Sequence, residues 1–206
     1  GPWLMAEDPR AALALISANW FGHPAEALTC VAVTGTNGKT TTTYLLKAAL
    51  EGALHAKVGL IGTNQNMIGE EVLPAHRTTP ESYELQELLR AMADAGCTHV
   101  VMEASSIALV LHRTGGIRFA AGIFTNLTPD HLDFHGTMEA YRTAKGLLFD
   151  QTDLAVVNLD DDAGRYYAES APCPVFTYSE RKDEADLVAK NIRLFPSHVE
   201  FEAVAR

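Results

Sequence analysis

VTGTNGKTTTT, Val33 to Thr43, is the stretch whose reading decides the fold. Before it, Thr29 to Val33 is a short apolar run that predicts a β-strand. After it, Thr40 to Leu50 predicts a helix. A strand, a glycine-rich turn and a helix, in that order, make a phosphate-binding loop. Gly35 and Gly38 let backbone N–H groups turn inward around phosphate oxygens, with Thr36, Asn37 and Thr41 beside them. Lys39 can reach the β- and γ-phosphates, and Thr40 can place its hydroxyl on Mg²⁺. The general pattern asks for a glycine where Val33 stands. The plain alternative is a glycine turn capped by threonines. Gly-Lys-Thr at the junction of strand and helix argues against it.

Working outward, Asp8 to Asn19 predicts a short helix with Pro9 near its start and Leu13, Ile16 and Trp20 on one face. Ala56 to Ile61 predicts a second strand, and Asn64 to His76 a loop or hairpin. Thr79-Pro80 opens a helix with Leu85, Leu88, Leu89 and Met92 at i, i+3, i+4 and i+7, closed by Gly96. Further strands are predicted at Thr98 to Met102, Phe119 to Thr125, Leu154 to Asn158 and Val175 to Tyr178. Thr137 to Phe149 and Ala163 to Glu169 predict helices. Short apolar strands alternating with helices mean an α/β fold: a doubly wound, mostly parallel sheet covered on both faces. Past Asp186, the residues Ile192, Leu194, Val199 and Phe201 alternate around Pro196-Ser197, an antiparallel hairpin pattern. The pattern stops at Arg206 without a closing element, so the natural chain is expected to continue.

The composition is that of a globular domain: 206 residues, 47% hydrophobic and 20% charged. A net charge of −10 argues against nucleic acid or an anionic membrane as a broad-surface partner. Cys30, Cys97 and Cys173 are few, odd in number and far apart, which fits a reducing compartment. The start has no basic-then-apolar signal pattern, and no apolar run reaches the ~20 residues that cross a bilayer. The cytoplasm is expected. Residues 1–28 read as a linker and helix, with a cloning scar or tag at 1–5, and 29–206 as the nucleotide-binding domain.

The metal side is expected at strand ends. Thr98 to Met102 runs into Glu103, which can hold Mg²⁺ there directly or through water. The competing role is a cap for the turn at Ser105 and Ser106. Phe124 to Gly136, FTNLTPDHLDFHG, crowds Asn126, Asp130, His131, Asp133 and His135 into one loop. Magnesium prefers oxygen, so a histidine ligand would be unusual. Lys145 falls on the same helical face as Met138, Tyr141 and Leu148. It either snorkels to water or is a desolvated amine with a lowered pKa.

Together, VTGTNGKTTTT, RTTPES, MEASS, FTNLTPDHLDFHGTMEAY with its following AK, and VNLDDD resemble the central ATP-binding domain of the Mur ligases. Within the family, DHLDFHGTMEAY points to the type that adds the third amino acid to UDP-N-acetylmuramoyl-L-alanyl-D-glutamate. The resemblance implies an acyl phosphate made with ATP and opened by an amine. It implies Lys39 and Thr40 on ATP and magnesium, Glu103 on one magnesium and His131 on a second metal. Lys145 would be the lysine that the family carbamylates. Thr78, Thr79, Ser105 and Arg113 would contact the UDP-muramoyl-dipeptide. Asn126, Asn158, Asp160 and Asp161 would lie near adenine and ribose. A monomer is expected.

Two departures stand out. Ile107 occupies the place of a family histidine after the paired serines. The family's N-terminal UDP-binding domain and C-terminal domain have no counterpart in these residues, and the motif that chooses the amino acid belongs to the latter. The alternatives are a ligase of the folylpolyglutamate or cyanophycin type, and a nucleotide-binding module without turnover. A guanine-reading switch is disfavoured, because no Asn/Thr-Lys-x-Asp motif occurs.

Overall fold

A computed structural model describes Trp3 and residues 5–206; most of the expected tag at 1–5 lies outside the described residues. The first helix is Pro9–Trp20 (α1). Asp8 caps it, its carboxylate accepting from the Arg10 and Ala11 N–H groups at 2.9 and 3.0 Å. The face marked by Leu13, Ile16 and Trp20 turns outward, and Trp20 is 76% exposed. Ala14, Ser17 and Ala18 are buried in its place. The reason is steric. A Cβ added to Gly115 would lie 2.8 Å from the Ala14 Cβ, and one on Gly116 would lie 2.9 Å from the Ala18 Cβ. Only small side chains fit that close approach.

The phosphate-loop unit follows as Thr29–Thr34 (β1) and Lys39–Leu54 (α2). Then come Val58–Ile61 (β2) and a hairpin of Asn66–Ile68 (β3) and Glu71–Leu73 (β4). The next helix is Ser82–Asp94 (α3), which begins after Thr79-Pro80 rather than with it. Thr79 is engaged elsewhere: its hydroxyl donates to the Glu103 carbonyl at 2.8 Å and accepts from the Ser105 N–H at 3.1 Å. Glu81 caps the helix instead, and the Glu84 carboxylate accepts from the Glu81 N–H at 3.3 Å. The chain continues through His99–Glu103 (β5), Ser106–Val110 (α4), Ala121–Phe124 (β6), Leu132–His135 (α5) and Met138–Gly146 (α6). It ends with Ala155–Asn158 (β7), Asp162–Ser170 (α7), Val175–Ser179 (β8), Leu187–Leu194 (β9) and Val199–Ala205 (β10).

The ten strands form one sheet in the order β10-β9-β8-β7-β6-β1-β5-β2-β3-β4. From β9 to β2 every neighbour is parallel. Among the described residues, antiparallel pairs occur only at the two ends, β2–β3–β4 and β9–β10. β1 is central, with β5 on one side and β6 on the other. The chain passes from β5 to β6 across it, so the carboxyl ends of these three strands surround a crevice. One core packs Ala32, Val100 and Met102 against Leu85, Leu89 and Met92 of α3. A second gathers Phe124, Val157 and Tyr167. Among the described residues, no helix is long and apolar enough to cross a membrane.

Candidate nucleotide and metal site

The loop after β1 is bound to the segment after β6. Gly35 has φ +145°, and an added Cβ would lie 1.9 Å from Thr125 Oγ1. The Thr36 N–H donates to the Asn126 carbonyl at 2.8 Å, and the Asn37 N–H to Asn126 Oδ1 at 2.9 Å. Asn126 Nδ2 and Thr125 Oγ1 donate to the Asn37 carbonyl at 3.1 and 2.7 Å. Thr36 Oγ1 accepts from the Thr128 N–H at 3.0 Å. The carboxamide of Asn126 thus clamps both main-chain groups of Asn37, in the middle of the loop. Gly38, at φ +84°, caps α2 with no side-chain acceptor, which leaves the helix N-terminus for an anion. Thr41 is exposed in the first turn of α2.

Two lysines converge on the loop. Lys39 Nζ donates to the Gly35 and Thr36 carbonyls, both at 2.9 Å. Lys145 Nζ donates to the same Gly35 carbonyl at 2.8 Å and lies 4.3 Å from the Tyr141 ring centroid. Burial lowers the Lys39 pKa against the opposing pull of Glu103 and Asp130. Lys145 is 1% exposed. Burial, then the Lys39 charge, lowers its pKa to about 7, with Asp130 opposing. The snorkelling alternative does not occur: the amine stays inside.

Glu103, the last residue of β5, is 1% exposed. Its Oε1 accepts from Thr40 Oγ1 at 2.9 Å and the Thr63 N–H at 2.8 Å. Thr63 Oγ1 lies 3.0 Å from both Glu103 Oε2 and Thr78 Oγ1. Gly62 makes the room, since a Cβ there would sit 2.6 Å from Oε1. A carboxylate beside a threonine hydroxyl fits magnesium, which keeps most of its ligands as water and phosphate oxygens. His131 is in the left-handed region, φ +50°, with its half-exposed ring 3.6 Å from Asp130 Oδ2 and edge-on to the Tyr141 ring at 6.2 Å between centroids. Among the described residues, no three His, Cys, Asp or Glu side chains gather into a metal cage.

On the other side of Glu103, Thr79 lies against Ser105, and Arg113 Nη1 donates to the Thr79 carbonyl at 3.2 Å. Arg113 Nη2 pairs with Glu81 Oε1 at 2.6 Å. With Thr78, these residues form one polar wall. Ser105 caps α4, accepting from the Ala108 N–H at 3.2 Å, and Ile107 is half-buried in that helix. Toward β8, three other expected ligands tie strand ends together. Asn158 Nδ2 donates to the Thr125 carbonyl at 2.9 Å. Asp160 accepts from Ser179 Oγ at 2.6 Å and the Glu180 N–H at 2.7 Å. Asp161 accepts from the Leu127 and Ala163 N–H groups, each at 2.9 Å, and caps α7. A groove lined by Leu127, Met138, Arg142 and Asp161 opens beside them.

Thr63, Gly62 and Thr125 were not among the expected site residues, and Tyr141 was expected only as a neighbour of Lys145 on its helical face. A polar residue just past β2 was the available signal for Thr63, once β2 is known to neighbour β5.

A family profile described as the Mur ligase middle domain matches residues 33–205. A UDP-N-acetylmuramoyl-L-alanyl-D-glutamate–2,6-diaminopimelate ligase of Caldanaerobacter subterraneus subsp. tengcongensis is 48% identical over 97% of this chain and 41% of its own length. A solved structure of a ligase with that same name superposes with a TM-score of 0.85 at 31% identity, over 98% of this chain and 43% of that one. Folylpolyglutamate synthase of Mycobacterium tuberculosis, complexed with ADP and AMPPCP, shares the fold with a TM-score of 0.70 at 15% identity, over 95% of this chain and 52% of that one. The chain therefore spans about 41% of the length of the curated relative.

Proposed function

This chain belongs to the Mur ligase family, of which it carries the middle domain, and on that premise we propose that its parent protein is an ATP-dependent, amide-forming ligase of peptidoglycan precursor synthesis. The first substrate is UDP-N-acetylmuramoyl-L-alanyl-D-glutamate. The names of the relatives favour 2,6-diaminopimelate as the incoming amino acid. The substrate carboxylate takes a phosphoryl group to become an acyl phosphate. The amine then displaces phosphate, and an amide forms.

MgATP, when bound, supplies the phosphoryl group and the charge neutralisation that its transfer needs. The residues of the chain bind and orient. The loop Gly35 to Thr41 and the α2 N-terminus hold phosphates, and Lys39 has only main-chain oxygens to leave when an anion arrives. Thr40 and Glu103 hold a magnesium ion. Lys145, as a carbamate, and His131 serve a second metal. Thr78, Thr79, Ser105 and Arg113 face the UDP-muramoyl-dipeptide. Asn126, Asn158, Asp160 and Asp161 frame the adenosine end as supports. The work is cytoplasmic and done by a monomer, with no nucleic acid or membrane partner.

The observation that carries this reading is the 2.9 Å contact between Thr40 of the phosphate loop and the buried Glu103. Because the chain covers 41% of the relative's length, we also propose that it binds MgATP by itself and makes no amide. Titration calorimetry tests this. ATP should bind in a magnesium-dependent way, with binding abolished in Lys39→Met and weakened in Glu103→Gln. Binding indifferent to magnesium and to Lys39 would sink the nucleotide reading. Tripeptide product from the chain alone would sink the second. In the parent protein, phosphate release with UDP-muramoyl-dipeptide but not with folate separates this reading from the folylpolyglutamate type.

A further inference from the structure

We propose that Tyr141 is a positioning residue that fixes the Lys145 amine in place, and that His135 and Ser106 brace Tyr141. The proposal builds on the reading of Lys145 as the reactive lysine of the site. Tyr141 and Lys145 are i and i+4 on α6, so their side chains are neighbours. The ring is 1% exposed, and Lys145 Nζ lies 4.3 Å from its centroid. In its protonated form, before it becomes the carbamate, the amine is attracted to an aromatic face at that range. One N–H of the amine goes to the Gly35 carbonyl at 2.8 Å. A hydrogen bond and a ring face together define where the nitrogen sits, whereas a hydrogen bond alone leaves a four-carbon stem free to shift.

The ring is itself held. His135 stacks on it, with centroids 4.8 Å apart and planes 29° from parallel. The His135 Nε2 is 2.9 Å from Ser106 Oγ, a buried hydroxyl three residues past Glu103. The Tyr141 hydroxyl lies 3.4 Å from Thr36 Oγ1 in the phosphate loop. Burial, helped by the Lys145 and His131 charges, holds His135 below its ordinary pKa against Asp133, which favours a neutral, stacking imidazole. The strut thus runs from the β5 end, through Ser106, His135 and Tyr141, to the lysine. It joins the substrate wall to the phosphate loop.

The test reads position directly. Lysine labelled with carbon-13 places six side chains in the spectrum, and Lys145→Arg assigns the one of interest. Protons over a ring face resonate upfield, so the Lys145 ε-methylene should lie upfield of the other five. Tyr141→Phe should keep that displacement. Tyr141→Leu should abolish it, and His135→Ala, at a half-exposed site, should shrink it while the amide spectrum stays native. A Lys145 signal at the ordinary position in the unaltered chain overturns the proposal. So does a displacement that survives Tyr141→Leu. If Tyr141→Leu fails to fold, the unaltered chain and His135→Ala decide, and an unchanged signal in His135→Ala overturns the brace. A separate arm adds carbon-13 bicarbonate. A displaced Lys145 that yields no carbamate signal refutes the carbamate reading and leaves the positioning role intact.

Discussion

Lys39 and Lys145 donate to one and the same oxygen, the Gly35 carbonyl, at 2.9 and 2.8 Å. Two amines on one buried acceptor hold each other's protons loosely. Burial is the larger cause of the low Lys145 pKa, and the Lys39 charge is the second. Lys39→Met removes only the second. The Lys145 midpoint should therefore rise above about 7 and still stop short of the ordinary lysine range. A pH titration of carbon-13 lysine signals measures it. An unmoved midpoint would mean that the two amines do not feel each other.

The same amine gives stability a pH dependence whose sign can be worked out. The folded pKa of Lys145 is lowered from 10.5 to about 7. Between those values the unfolded chain binds the extra proton, so this group makes stability rise with pH, by up to about 1.4 kcal/mol per pH unit. Above the unfolded value both states are neutral and the penalty is gone; below the folded value it is complete. Lys145→Met should therefore be the more stable protein at neutral pH, and its advantage should fade as the pH approaches 10.5. Urea melts of both proteins at several pH values measure the difference. A pH-independent difference would refute the buried charge.

The loop and the strands around it were legible because each is local. A strand, two glycines and a helix are written within Thr29 to Leu50. The α1 face was not legible, because Gly115 and Gly116, which demand Ala14 and Ala18, are about a hundred residues away. Helices α4 and α5 have five and four residues, too few to show a period. Glu103 could be picked as a strand-end carboxylate, yet its partners Thr40 and Thr63 come from two other strand–loop junctions. Asn126, Asn158, Asp160 and Asp161 look like ligands in sequence. Only the fold reveals that their polar atoms already join the loop and three strand ends.

The two glycines of the loop should respond differently to alanine. At Gly35 a Cβ would lie 1.9 Å from Thr125 Oγ1 and 3.2 Å from the Asn126 main chain, so the loop must leave its clamp. At Gly38 nothing lies within 4 Å, and only the φ of +84° is unfavourable. Gly38→Ala should cost about 1 kcal/mol of backbone strain. Gly35→Ala should cost several times that or fail to fold. Thermal melts of the two variants check the order, and equal losses would show that the loop is not pinned to Thr125.

Glu103 offers the cleanest separation of fold from metal. Its carboxylate accepts from Thr40, from the Thr63 N–H and, at Oε2, from the Thr63 hydroxyl. In Glu103→Gln the amide oxygen can keep the first two bonds. The new NH₂ faces Thr63 Oγ1, which can turn its proton to Thr78 Oγ1 at 3.0 Å and accept instead. The network closes again, so stability without nucleotide should change by less than about 1 kcal/mol. The negative charge is lost, so stabilisation by MgATP should fall. A ligand at 100 times its Kd stabilises by about 2.7 kcal/mol, and that gain should shrink sharply. Glu103→Ala is the contrast. It leaves the half-buried Thr40 hydroxyl and the Thr63 N–H to water in place of the carboxylate, while the Thr63 hydroxyl keeps Thr78, and should cost about 1–2 kcal/mol even without nucleotide. Melts of the three proteins with and without MgATP decide. If Glu103→Gln keeps the full MgATP gain, Glu103 is a structural acceptor for Thr40 and Thr63, and the metal sits elsewhere.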